Sequence, residues 1–266
     1  MEPGIFLVGG GWSDAHRDAL WGPFLWRAAE RAAGEAPRIA CVVIDEGDGA
    51  EQVQRWADVL VRTAACTPVP VLIPSGSPLS DERRSIVAAA HGLLICGGLT
   101  PAYAESLAPA GDLIRAQVAA GVPYAGFSAG AAVAADRAVV GGWRDRGVPV
   151  CPEDAGEDLD EVTVVDGLGL VPFAVDVHAA QWGTLGRLVA AVAGGQVGSG
   201  MALDEDTVLQ VALDGSATVA GAGRVHLVRP SGDGAGGAHV TSFAGGAPVD
   251  AQRMRAVSRS ASPMRS

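Results

Sequence analysis

Gly126-Phe127-Ser128-Ala129-Gly130 stands between the strand-like run Val122-Pro123-Tyr124-Ala125 and the helix-like run Ala131-Ala132-Val133-Ala134-Ala135. A serine with glycine at both second neighbours, entered from a strand and left into a helix, is the local form of a nucleophile elbow. The turn is too tight for side chains at the flanking positions, which gives the glycines a steric reason. Such an elbow exposes the hydroxyl above the carboxyl end of a sheet. It also aims the free N–H groups of the following helix at any developing oxyanion. A serine hydrolase is therefore the leading expectation.

Outward from the elbow, strand and helix alternate. Ile5–Val8 is a short apolar strand ending in Gly9-Gly10-Gly11, and Trp21–Ala33 has helical character. Ile39–Ile44 is a continuous apolar run, as in a parallel strand covered on both faces. An amphipathic helix over Glu51–Thr63, a strand over Val69–Ile73, a helix over Asp81–His91 and a strand over Gly92–Cys96 follow, the last ending at Gly97-Gly98. Ala102–Leu107 and Asp112–Ala120 are helical before the elbow strand, and Gly183–Ala193 is helical after it. This spacing predicts an α/β fold of three layers: an open, mostly parallel sheet with helices on both faces and ligands at the carboxyl ends of its strands. Val208–Val211, Ala217–Val219 and Val225–Val228 predict a small closing β region within about 198–230. Residues 141–160 break the rhythm. There Gly, Pro and six acids surround Cys151, an irregular excursion over the active face or at the surface. One α/β hydrolytic domain over 1–250 is expected, with an Arg-, Ser- and Pro-bearing disordered tail over 251–266.

Composition narrows the partners. Nearly half of the 266 residues (48%) are hydrophobic but only 5% aromatic, so a sizeable core must be built from Val, Leu, Ile and Ala. The 37 glycines, about twice an ordinary share, lack a collagen-like period. A formal charge of -11 without a basic patch argues against nucleic acid and anionic membrane as partners. No apolar run approaches the length of a membrane span. Met1-Glu2-Pro3-Gly4-Ile5 enters a strand without a basic, apolar leader, which predicts a cytoplasmic location. Cys41, Cys66, Cys96 and Cys151 have no metal-ligand spacing, and buried thiols are expected at Cys41 and Cys96. No cofactor and no metal are expected.

Ser128 needs a base and an oxyanion hole. Gly97-Gly98 lets backbone N–H groups approach a substrate, and the amides of Gly98 and Ala129 would converge as two donors. Among the five histidines, His178 follows the apolar run Val171–Val175 and precedes a helix, where a strand-end active-site residue belongs. His16, His91, His226 and His239 lack that setting. The acid that orients the base is open between Asp176 and the three acids Asp204, Glu205 and Asp206. No His-Glu-x-x-His spacing is present.

With Gly97-Gly98, Gly126–Ala131, Asp176-Val177-His178, Leu185-Gly186-Arg187-Leu188, Gly198-Ser199-Gly200 and Leu203–Thr207 in this order, the chain resembles peptidase family S51 over roughly residues 3–228. That family groups dipeptidase E-like enzymes and cyanophycinases and has a class I glutamine amidotransferase-like (flavodoxin-like) fold. The resemblance implies Ser128 as nucleophile, His178 as base and Glu205 as orienting acid, with the oxyanion hole at Gly98 and Ala129. It implies a serine peptidase that cleaves near an acidic residue or a β-aspartyl linkage, and it implies a homodimer. Val177 and Ala179 replace the Gln and Phe of the cyanophycinase branch, and Leu99-Thr100-Pro101 replaces its polar turn. These departures predict retained hydrolytic chemistry in a more apolar pocket, with a peptide or small amide as substrate. Leu99, Thr100, Asp176, Val177, Trp182 and Arg187 are the expected substrate contacts. The rival readings are a small-molecule esterase or amidase with the same triad, a catalytically silent interaction protein, and, on the strength of Gly9-Gly10-Gly11, a nucleotide-binding protein. That glycine run lacks the full dinucleotide fingerprint.

Overall fold

A computed structural model of the chain describes residues 2–232 and 236–249. The expected tail over 251–266 lies outside them. In chain order the strands and helices are β1 (Pro3–Val8), α1 (Arg17–Arg31), β2 (Arg38–Asp45), α2 (Gly49–Thr63), β3 (Thr67–Pro74), α3 (Asp81–Ala88) and β4 (Gly92–Ile95). Then come α4 (Thr100–Leu107), α5 (Gly111–Ala119), β5 (Tyr124–Phe127), α6 (Ala129–Ala132), β6 (Arg137–Gly141), β7 (Arg144–Asp145), β8 (Val148–Pro149) and β9 (Thr163–Asp166). The chain continues through β10 (Ala174–Asp176), α7 (Leu185–Ala193), β11 (Gly200–Leu203), β12 (Thr207–Ala212), β13 (Ala217–Gly221), β14 (Arg224–Pro230), β15 (Ala238–Ala244) and β16 (Pro248–Val249).

Eight strands form the central sheet in the order β16-β13-β12-β1-β5-β4-β2-β3. From β3 to β1 all neighbours are parallel, and β12, β13 and β16 extend the sheet in antiparallel fashion. Alternation along β1 shows how the sheet is covered. Phe6 and Val8 pack with Trp21, Phe24 and Leu25 of α1 and Trp56 and Leu60 of α2, while Ile5 and Leu7 join a core shared with α3, α4, α5 and α6. This is the mixed α/β arrangement, with a central sheet flanked by helices, that the alternating pattern predicts. The edge strand β3 carries Pro68 and Pro70, which lack the N–H that an added strand would need. Cys41 and Cys96 are buried on the α1/α2 face, and burial pushes the Cys41 thiol up to about 12.

The closing β region does not form one unit, which corrects the expectation. β12 and β13 belong to the central sheet, whereas β14 pairs with β11 in a separate sheet of order β10-β11-β14-β15. The chain crosses between the sheets at Asp204-Glu205-Asp206, where Asp206 takes a left-handed φ of 53°. Two hydrogen bonds hold the two sides of this turn: Asp204 N–H donates to the Arg224 carbonyl and Asp206 N–H to the Gly10 carbonyl. The second sheet sends Val175, Met201, Leu203 and Leu227 into the core under α6, and Ala174, Ala202 and Val228 toward Leu188, Ala191 and Val192 of α7. Residues 141–160 form the small β7–β8 hairpin and a 3-10 turn at Glu153–Ala155. Residues of this segment share a cavity with Ser128 and His178 at the carboxyl end of the sheet.

Candidate active site

The elbow is enforced by backbone contact. A Cβ at Gly126 would lie 2.4 Å from the Gly130 carbonyl oxygen, and one at Gly130 would lie 2.1 Å from the Ile95 carbonyl oxygen. Neither position can carry a side chain while the turn stays packed against the end of β4. Ser128 between them adopts φ 50°, ψ −113°, a conformation that costs about 1–3 kcal/mol and persists only where the surroundings impose it. The surroundings here are β1 and β4: Ser128 N–H donates to the Val8 carbonyl and Gly130 N–H to the Cys96 carbonyl.

β10 and β11 run parallel, with Asp176 opposite Ala202, so the residues just beyond their carboxyl ends meet. His178, at φ 56°, is fixed there by N–H donation to the Gly9 carbonyl. Its Nε2 lies 2.9 Å from Ser128 Oγ, and its Nδ1 lies 2.7 Å from Glu205 Oε1. With Glu205 ionised, the neutral imidazole donates from Nδ1 and leaves Nε2 to accept the serine proton. The neighbouring acids have other partners. Asp204 accepts the Ala180 and Arg224 amides, and Asp206 accepts the Ser13 amide. Burial lowers the His178 pKa from its ordinary 6.5, against the opposing pull of the Glu205 hydrogen bond and charge. The ring of Trp182 stacks on the imidazole at 3.9 Å and 9°.

Gly9-Gly10-Gly11, the run that suggested a nucleotide loop, is the seat of this arrangement. A Cβ at Gly10 would lie 2.1 Å from His178 Cε1, and one at Gly11 would lie 2.6 Å from Asp206 Oδ1. Only bare backbone lets the imidazole and the acid turn approach together. Among the described residues neither the Gly98 nor the Ala129 amide has a hydrogen-bond partner.

A cavity of about 1060 Å³ opens over Ser128, His178 and Glu205. Of the six expected substrate contacts, Leu99 and Trp182 are on its lining. Thr100, Asp176, Val177 and Arg187 are not, which corrects four expected substrate contacts. All four are buried; Asp176 is 1% exposed and Arg187 4%. The carboxylate takes a two-pronged bond from Arg187, Nε at 2.9 Å and Nη2 at 2.7 Å, and Arg187 Nη1 donates to the Ala155 carbonyl at 2.6 Å. This pair ties the histidine strand and α7 to the 141–160 excursion. The more apolar pocket is also corrected. Glu153, Asp154, Glu157, Asp158 and Asp160 form one wall, with Glu46 and Glu205 elsewhere on the lining. Among the lining residues Arg55 is the one permanent cation, lying 3.4 Å over the Trp12 ring. The six acids around Cys151 were a visible signal. Five of them, all but Asp145, line the cavity, a placement that follows from the Arg187–Ala155 bond and from Glu157 accepting the Thr100 amide at 2.9 Å, contacts remote in sequence. Among the described residues no cluster of His, Cys, Asp and Glu could hold a metal ion.

A serine at a strand-to-helix elbow, hydrogen-bonded to a histidine that is hydrogen-bonded to a glutamate, is an arrangement of the serine-hydrolase class. The model of peptidase family S51 matches residues 73–219, more than half of the sequence, and the chain belongs to that family. It is 34% identical over 156 residues to a cyanophycinase of Trichormus variabilis and 33% identical over 156 residues to one of Nostoc sp.. Each match takes in 57% of this chain and 49% of the relative, so the chain spans about half the length of the curated relatives it matches. The crystal structure of a peptidase from an acI-B1 Actinobacterium shares the fold with a TM-score of 0.62 at 17% identity, over 94% of this chain and 97% of that one.

Two outcomes follow from the geometry. An NMR titration of the His178 ring should give a midpoint below 6.5, because burial favours the neutral form. Glu205→Gln should lower it further, since the carboxylate favours the charged form; an upward shift would contradict the assignment of cause. Arg187→Ala leaves Asp176 charged and buried, and should reduce the unfolding free energy in urea by about 3–5 kcal/mol. A loss under about 1 kcal/mol would show that the pair does not brace the site.

Proposed function

We propose that this chain is a serine peptidase that hydrolyses an amide bond through an acyl-enzyme, with Ser128 as nucleophile, His178 as general base and acid, and Glu205 as the acid that orients it. The observation that carries this reading is the unbroken chain of short hydrogen bonds from Ser128 Oγ through the imidazole to Glu205 Oε1. His178 Nε2 takes the hydroxyl proton as Oγ attacks the carbonyl carbon. The free amides of Gly98 and Ala129 hold the resulting oxyanion. The C–N bond then breaks as Nε2 returns the proton to the leaving amine. Water, deprotonated by the same nitrogen, attacks the ester carbonyl and releases the acid and Ser128.

The lining adds a substrate preference. Five carboxylates from residues 153–160 line the same cavity as Ser128 and give it a negative potential, so the reading includes a substrate that carries positive charge, such as an arginine- or lysine-bearing peptide. The sequence differs from the cyanophycinase branch at Val177 and Ala179, buried on either side of His178 rather than on the cavity lining. The reading is therefore of a family member with its own wall, contributed by the excursion.

The test is a mass-spectrometric screen of wild type and Ser128→Ala against peptides with α- and β-aspartyl linkages, in matched cationic and neutral forms. Cationic peptides should be cleaved with higher kcat/KM, by an advantage that shrinks as salt rises. Ser128→Ala should lose about 10⁴-fold or more. No cleavage by folded wild type contradicts the peptidase reading, and preference for neutral peptides contradicts the role of the acidic wall.

A further inference from the structure

We infer that Tyr103 is a positioning residue for the oxyanion hole: its buried hydroxyl fixes the plane of the Gly97–Gly98 peptide so that the Gly98 N–H faces Ser128. The inference rests on the proposed hydrolytic reading. Tyr103 is one of the larger fully buried side chains and lies on α4 against Gly98, whereas a Cβ at Gly97 would lie 3.2 Å from Ser128 Cβ. Its hydroxyl donates to the Gly97 carbonyl at 3.0 Å, and its oxygen accepts the Ile44 amide at 3.3 Å from the neighbouring strand β2. With the Ile44 N–H on a lone pair, the hydroxyl proton is directed to the carbonyl. Burial holds the phenol well above its ordinary pKa, so it remains a donor across the working range.

The Gly97 carbonyl and the Gly98 N–H belong to one trans peptide and point in opposite directions. A bond that holds the carbonyl toward Tyr103 therefore holds the N–H away from it, toward the cavity that Gly97, Gly98 and Ser128 line together. Contacts around Gly98 agree. A Cβ there would lie 3.0 Å from Tyr103 Cε2 and 3.2 Å from Glu46 Oε2. The next amide, Leu99 N–H, is taken by Glu46 at 3.3 Å. The Gly98 N–H is left without a partner among the described residues. A diglycine strand end has no side chain to set its own peptide plane, and the tyrosine supplies that constraint from behind.

The test compares Tyr103→Phe with Tyr124→Phe on the peptide that wild type cleaves best in the screen. Tyr124 is equally buried, and its hydroxyl donates at 2.6 Å to the Gly130 carbonyl, which belongs to a different peptide from Gly97–Gly98. Tyr103→Phe should lower kcat about 10- to 100-fold, within the range for a weakened oxyanion donor, with KM within about twofold. Binding of the corresponding peptide aldehyde, whose adduct carries the oxyanion, should weaken by the same factor. Tyr124→Phe should lower the Tm comparably and leave the kcat-to-KM pattern alone. A 4-aminophenylalanine at position 103 keeps a donor in place; it should recover most of the lost rate, and it decides the matter if the Phe variant does not fold. Unchanged kcat in Tyr103→Phe, an equal loss in Tyr124→Phe, or no rate in a folded 4-aminophenylalanine variant would each overturn the inference. Inactive wild type would instead remove the hydrolytic reading, and the inference with it.

Discussion

Everything at the carboxyl end of the sheet depends on the backbone of residues 8–11. The Val8 carbonyl takes the Ser128 amide, the Gly9 carbonyl takes the His178 amide, and the Gly10 carbonyl takes the Asp206 amide. Gly9 in turn donates to the Thr207 carbonyl. Three segments far apart in sequence, each bearing one member of the Ser–His–Glu set or its immediate neighbour, are thus fastened to one strand end. The fastening requires glycine, because side chains at 10 and 11 would occupy the space of the imidazole and of the Asp206 carboxylate. Left-handed backbone at Ser128, His178 and Asp206 is the strain this junction sustains, at about 1–3 kcal/mol each.

Around this junction, charge is divided into two compartments. Behind the histidine, Asp176 and Arg187 neutralise one another out of water, and the remaining guanidinium nitrogen holds the Ala155 carbonyl. In front, the excursion that begins after β6 and is anchored at Ala155 presents its acids to the cavity. A buried pair of this kind is weak evidence for net stability, since desolvation offsets the Coulombic gain. Its geometry accounts instead for how a glycine- and proline-rich segment holds carboxylates in a defined wall.

Much of this was legible in the sequence, for identifiable reasons. The apolar runs of β1, β2, β4 and β5 and their spacing specify a parallel sheet covered on both faces, and the elbow declares Ser128 by its glycines alone. His178 stands out by its place after an apolar strand. The choice of Glu205 over Asp176, Asp204 and Asp206 needed the resemblance, because it depends on which of three consecutive acids a sharp turn aims inward. The division of β12 and β14 between two sheets was not legible. Short apolar strands carry no mark of their partners, and the reversal is set by long-range bonds from Asp204 and Asp206. Asp176 and Arg187 look like site residues in sequence because both lie in segments that carry the family resemblance; only their buried hydrogen bonds show that they face each other. Gly9-Gly10-Gly11 suggested a phosphate loop for want of any local sign that a histidine would fill the space above it.

The central claim is that Ser128 is a nucleophile activated through His178, and the most direct measurement is intact-protein and peptide-mapping mass spectrometry after exposure to a fluorophosphonate. The account predicts one adduct per chain, located on Ser128, that forms in the wild type and fails to form at a comparable rate in His178→Ala. An adduct on another residue, or labelling of Ser128 that does not depend on His178, would contradict it.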